Sequence, residues 1–232
     1  MRIGELELRA GLDDLSLLLS EAQIGRLLDY HELIQKWNKV YNLTAVRDPA
    51  EMLTHHLLDS LAIIGPLRSA LEGQRAGRIL DVGSGAGLPG VVVAICCPEI
   101  AVDCVDAVAK KVAFIRQVAL SLGLSNLRGL HARVEGLTEK YNVICSRAFA
   151  SLVDFTTLTS EALGRNGCWL AMKGRYPADE VSVLSQDIAV FHVEQLSVPG
   201  LRAERCIVWM KKLAEVSGVS SAERMPLNSP LV

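Results

Sequence analysis

The chain has 232 residues, half of them hydrophobic and 22% charged, enough for one large domain or a domain with an appendage around a substantial core. Its formal net charge of −2 gives no global attraction to nucleic acid or anionic membrane, and residues 1–75 hold 8 Lys and Arg against 11 Asp and Glu, so no basic arm is hidden there. No basic-then-apolar leader opens the sequence, and the longest apolar run, 91–97, is far short of the roughly 20 residues of a membrane span, so a soluble, cytoplasmic protein is expected.

In chain order, the first 65 residues read as helices. Ser20 and Gln23 have the spacing of a capping box, and Ile24, Leu27, His31, Ile34, Trp37 and Tyr41 follow at intervals of three and four. His31 falls on that apolar face and reads as a core histidine. A second helix start is written by Asp48, Pro49 and Glu51, as N-cap, first and third helical positions. Gly65-Pro66 is expected to end that helix, with 68–77 a linker or short helix. His55 and Asp59 have the i,i+4 spacing of a metal pair, but two ligands with no third make no site, and no metal is expected.

After residue 77 the pattern alternates. Strands are expected at 78–82, 101–106, 127–131, 142–146, 168–172, 190–198 and 206–211. Helices are expected at 89–97, from Val108 to a stop at Gly123, at 152–163 and at 178–187. Alternation of this kind implies a mostly parallel sheet covered on both faces. Only a Pro199-Gly200 turn region separates the last two strands, which predicts an antiparallel hairpin at one edge. Six cysteines without a C-x-x-C pair, Cys96, Cys97, Cys104, Cys145, Cys168 and Cys206, read as reduced, buried thiols. The domain division read from these patterns is a helical extension over 1–75, an α/β domain over 76–212 and a polar, flexible tail over 213–232.

The chemistry concentrates at strand ends. LDVGSGAGLPG, residues 80–90, spells two frames. Gly85, Gly87 and Gly90 give the G-x-G-x-x-G of dinucleotide sites, whereas Asp81, Gly83, Gly85 and Gly87 give the D-x-G-x-G-x-G of S-adenosylmethionine (SAM) enzymes. Glycine at such a turn lets backbone approach a ligand and permits positive φ. Asp106, at the end of the next strand, is placed to accept both ribose hydroxyls, which suits NAD and SAM equally. The turn after the third strand would border the adenine, with a backbone N–H near Val134 and the Glu135 side chain reading the ring edge. After the fourth strand, Ser146-Arg147-Ala148-Phe149 lacks the N-P-P-Y stretch of amino-methylating enzymes, and no Pro-Cys pair suggests a cysteine attacking a pyrimidine. Arg147, at the mouth of a cleft, reads as functional.

NLTAVRDP at 42–49, HLLDS at 56–60, DVGSGAGLPG at 81–90, SRAFA at 146–150 and Lys173-Gly174 occur in this order. Together they resemble the RsmG (GidB) family of bacterial 16S rRNA guanine-N7 methyltransferases, over about residues 13–212. The resemblance implies a Rossmann-like SAM methyltransferase fold, a doubly wound, mostly parallel seven-stranded sheet with an antiparallel edge hairpin, preceded by the helical extension. It implies SAM as methyl donor and guanosine 527 of the 530 loop as acceptor, in standard 16S numbering. The SAM contacts it implies are Gly83, Leu88, Val134, Glu135 and Arg147, to which the strand-end reading adds Gly85 and Asp106. Guanine N7 carries an in-plane lone pair and no proton, so no catalytic base is expected. Lys36, Lys39, Arg47, His56, Arg116 and Lys173 are candidates for gripping RNA, and Phe149 for stacking on the target base. The expected partner is 16S rRNA, within the 30S subunit or a precursor, met by a monomer with no membrane contact. Two alternatives are an NAD-dependent oxidoreductase and a SAM-binding small-subunit assembly factor without turnover.

Overall fold

The computed structural model describes residues 2–72 and 77–213. The tail expected at 213–232 lies outside the described residues except for Leu213, as does most of the second half of the 68–77 linker. Helices α1 (Glu5–Asp14) and α2 (Glu21–Tyr41) come first, and the expected capping box is formed: the Ser20 hydroxyl accepts from the Gln23 N–H while the Gln23 side-chain Oε1 accepts from the Ser20 N–H. The predicted stripe is buried from Ile24 to Ile34, including His31. Tyr41, at its end, is exposed and lies against the Trp37 ring.

Asp48 caps α3 (Pro49–Met52) through bonds from the Ala50 and Glu51 N–H groups. The helix then widens into a π-helical stretch, Leu53–Leu58, before α4 (Asp59–Leu61). Gly65-Pro66 does not stop a helix. The chain turns at Ala62 and Ile63, and the pair sits in the first turn of α5 (Ile64–Ala70). There the proline's missing N–H is one that would have had no intrahelical partner.

The rest is a seven-stranded sheet in the order β3-β2-β1-β4-β5-β7-β6, comprising β1 (Arg78–Val82), β2 (Ala101–Asp106), β3 (Leu127–His131), β4 (Tyr141–Arg147), β5 (Leu163–Lys173), β6 (Ile188–Leu196) and β7 (Arg205–Lys212). The first five are parallel, and β7 runs antiparallel to both β5 and β6, so the expected edge hairpin is present. The helices between them are α6 (Gly90–Cys96), α7 (Ala109–Leu122), α8 (Leu152–Thr159) and α9 (Ala178–Ser182). Gly123 ends α7 in the left-handed region, as its position suggests.

Three elements depart from expectation. α8 ends at Thr159, short of the expected 163, and β5 begins at Leu163 rather than 168. Gly164 and Gly167 let this strand run close over the Tyr141 carbonyl, which a Cβ at either position would meet at under 3 Å. α9 is only five residues long and buries none of them.

One face of the sheet shares a continuous apolar core with α1, α2 and the π-helical segment, through Leu8, Leu27, Ile34, Leu57, Val91 and Ile115. Val82, Ile144, Phe155 and Trp169 belong to a second cluster on the other face. All six cysteines are free thiols, five of them buried. Among the described residues, no helix is long and apolar enough to cross a membrane.

Candidate active site

The strand order reverses between β1 and its two neighbours, β2 and β4, and ligands of doubly wound sheets lie beyond the strand carboxyl ends at such a point. Here the 83–90 loop is stitched down from three sides. The Gly83 and Ser84 N–H groups donate to the Val105 carbonyl, and the Gly85 N–H donates to Asp106. The Tyr30 hydroxyl, buried under the loop from α2, donates to the Ala86 carbonyl at 2.6 Å. Gly83, Gly85 and Gly87 all have positive φ. A Cβ on Gly83 would strike the Phe149 ring, whereas one on Gly85 would meet nothing nearer than 3.9 Å. The glycines of the second frame also have steric reasons: a Cβ on Gly87 would meet Val91, and one on Gly90 would meet Cys104 and Asp81.

Asp81 is fully buried beneath this loop. One carboxylate oxygen accepts from the Gly90 N–H at 2.9 Å and the other makes no hydrogen bond among the described residues. Burial raises its pKa to about 7, against the opposing effects of the Gly90 hydrogen bond and the Arg147 charge.

Two cavities meet at Gly83. The smaller, about 210 Å³, is walled by Val105, Asp106, Val134, Glu135 and Phe149. The Asp106 carboxylate holds the Gly85 and Val108 N–H groups there, and a carboxylate has further lone pairs to offer. The larger, about 500 Å³, is walled by Gly85, Leu88, Thr44, His56, Asp59 and Arg147, with Lys173 and Arg205 also lining it. All seven residues expected at the cofactor therefore line one or both cavities: Gly83, Gly85, Leu88, Asp106, Val134, Glu135 and Arg147.

The candidates for RNA contact divide. His56 and Lys173 line the larger cavity, and Phe149 lies at the smaller one with its ring edge against Phe155. Arg47 and Lys39 line a separate cavity of about 210 Å³ with Asn42 and Gln35, while Lys36 is exposed on α2 outside all three. Arg116 is not brought to the cleft; its Nε donates to the Gly129 carbonyl of β3.

The larger cavity also contains residues to which the sequence assigned no such role. Asp59, 2% exposed, accepts from Arg147 Nη1 on one oxygen at 2.9 Å and from Arg205 Nε on the other at 2.8 Å. Arg147 Nη1 also donates to the His55 carbonyl of the π-helical segment. Asp59 and Thr44 belong to the HLLDS and NLTAVRDP stretches, whereas nothing in the sequence around Arg205 marks it.

His56, 6% exposed, lies 2.8 Å from the Thr44 hydroxyl through Nε2. Burial, and then the charge of Arg147, lowers its pKa to about 4. The folded state thus favours neutral imidazole, while the unfolded chain protonates near 6.5. The associated stability is fully present above pH 6.5 and is lost as pH falls towards 4, at up to about 1.4 kcal/mol per pH unit. Urea melts at pH 7, 5.5 and 4.5 should show the wild type losing stability relative to His56→Gln over this window. A constant difference between the two proteins would contradict it.

A family profile described as GidB, rRNA small subunit methyltransferase G, matches residues 23–208. A ribosomal RNA small subunit methyltransferase G from Albidiferax ferrireducens is 67% identical over 223 residues, covering 92% of this chain and 100% of that protein. A protein of the same name from Polaromonas sp. strain JS666 is 64% identical over 222 residues, covering 94% and 98%. Among solved structures, TrmN from Thermus thermophilus gives a TM-score of 0.54 at 19% identity over 69% of this chain and 53% of that one. Coclaurine N-methyltransferase bound to N-methylheliamine and SAH gives 0.50 at 14% identity, over 83% and 74%. These last two likenesses are of fold.

Proposed function

The chain belongs to the rRNA small subunit methyltransferase G family, and on that premise we propose that it transfers the methyl group of SAM to N7 of a guanine in 16S rRNA, at guanosine 527 of the 530 loop. Membership in a methyltransferase family sets aside the dinucleotide oxidoreductase. SAM is the cofactor, and the residues present suit it. The smaller cavity, with apolar walls and the acids Asp106 and Glu135, matches an adenosine. The larger one presents Arg147 for a carboxylate, beside the opening at Gly85 where no side chain intrudes. When bound, SAM supplies an electrophilic methyl on a sulfonium.

The N7 reading is supported by how few side chains at the larger cavity are free to act as a base. Apart from His55, each titratable side chain lining the larger cavity is already engaged. Asp59 is held by two arginines, His56 is a weak base with a pKa near 4, and Lys173 is bound to Glu180 at 2.8 Å. A nucleophile that must lose a proton would be poorly served here, whereas guanine N7 has none to lose. The residues' task is then to align N7 with the methyl and exclude water. Positive charge passes to the purine during transfer, and a neutral His56 avoids opposing it.

The test is transfer of labelled methyl from SAM to 30S subunits, and to 16S rRNA, lacking the modification, with 7-methylguanosine identified by mass spectrometry. Absence of product on both substrates from a preparation that binds SAM would remove this reading. It would leave the assembly-factor alternative.

A further inference from the structure

The cluster around Asp59 carries more than cofactor binding requires. One carboxylate, both oxygens committed, faces two guanidinium groups, so the group bears a formal charge of +1 at the wall of the larger cavity. His56 beside it is neutral and does not add to that charge, and Lys173 is balanced by Glu180. The chain as a whole is slightly acidic, so this positive site is local.

The two arginines reach the one Asp59 carboxylate from different strands. Arg147 ends β4, next to β1 and its glycine loop. Arg205 begins β7, three strands from β1, which puts the two strand axes roughly 14 Å apart at the usual spacing between strands. Arg205 uses Nε for Asp59 and Nη1 for the Glu204 carbonyl. Its Nη2 has no protein partner among the described residues. A guanidinium held by one edge, with donors left over and carried by a strand three places from that of the glycine loop, suits an anion other than the cofactor's own carboxylate.

Resting on the rRNA methyltransferase reading above, we propose that Arg205 binds a phosphate of the RNA strand next to the target guanosine, and that Asp59 is a positioning residue shared by Arg205 and the cofactor-binding Arg147. A target base drawn out of its stack brings its flanking phosphates with it, so such a contact would orient the nucleotide for transfer. Asp59 then ties the two binding events to one side chain contributed by the N-terminal helices.

The experiment measures the SAM Kd by calorimetry, and KM for unmodified 30S subunits with labelled SAM, for wild type, Arg205→Gln, Arg205→Lys, Arg147→Ala and Asp59→Asn. Arg205→Gln is expected to raise KM for 30S about tenfold or more with the SAM Kd within about twofold. It should also lower the slope of log KM against log salt by roughly 0.7–1, one phosphate contact. Arg205→Lys, which keeps the charge without the fork, should recover most of the salt slope. Asp59→Asn should weaken both SAM and 30S binding. An unchanged KM and salt slope in Arg205→Gln would overturn the assignment. So would a SAM Kd that rises in both Arg205 variants as far as in Arg147→Ala, or an Asp59→Asn variant that shifts neither affinity. Failure of the wild type to methylate 30S subunits would instead count against the function proposed above.

Discussion

Arg147→Ala should raise the SAM dissociation constant about 10- to 100-fold, the range expected on losing one or two charge-assisted hydrogen bonds to a carboxylate. The same substitution removes the Arg147 bond to the His55 carbonyl and leaves Asp59 with Arg205 as its remaining arginine. A loss of about 1–3 kcal/mol of stability should therefore accompany it, below the 3–5 kcal/mol seen when a buried charge loses its whole complement. Calorimetry with SAM and with S-adenosylhomocysteine should show the loss in both, since the two share the carboxylate, and urea melts give the stability. Arg147→Lys separates charge from shape: a lysine cannot reproduce the guanidinium fork and should recover only part of the affinity. A SAM Kd within twofold of wild type in the alanine variant would mean that Arg147 only braces the fold.

Gly90→Ala is expected to damage the protein more broadly. Gly90 opens α6 directly against the sheet, where a Cβ would lie 2.3 Å from Cys104 Sγ and 2.8 Å from an Asp81 carboxylate oxygen. Both neighbours are fully enclosed, so neither can swing away as a surface side chain would. Forcing α6 off the sheet should cost about 2–4 kcal/mol, at the upper end of overpacking effects, and lower the Tm by roughly 5–15 °C for a chain of this size. The Gly90 N–H bond to Asp81 would lengthen as well, moving the glycine loop and weakening SAM binding. Differential scanning calorimetry checks the first effect. A Tm within about 2 °C of wild type would show that the α6–sheet contact has room the geometry denies.

These two positions differ in how the sequence announces them. Gly90 is the last glycine of the G-x-G-x-x-G frame, which is incidental as a dinucleotide fingerprint. Its spacing nevertheless reflects a demand common to this architecture, close packing of the first helix on the sheet. Arg147 was legible from its place after the fourth strand together with the family resemblance. The strands were also legible, because parallel strands buried on both faces form apolar runs bounded by turns. The edges were less so. β5 starts five residues early because two glycines tolerate the Tyr141 backbone, and Gly65-Pro66, a stop signal by composition, falls where a helix accepts proline.

The proposed cofactor half of the site follows the chain closely. Its residues lie at strand ends or in the turns immediately after them, and a strand followed by its turn is a local unit whose position in the sheet repeats from protein to protein. Local periodicity, turn chemistry and ordered motifs were therefore sufficient for the fold class, the glycine loop and the family. Tertiary structure alone decided which distant charges share a wall. Arg205 lies 146 residues from Asp59, yet it completes the cluster with Arg147; Arg116, an equally plausible cation in the sequence, is turned onto β3. Pairing of buried charges depends on strand order and on how α4 docks against the sheet. A guanidinium or carboxylate leaves no periodic mark along the chain to record either.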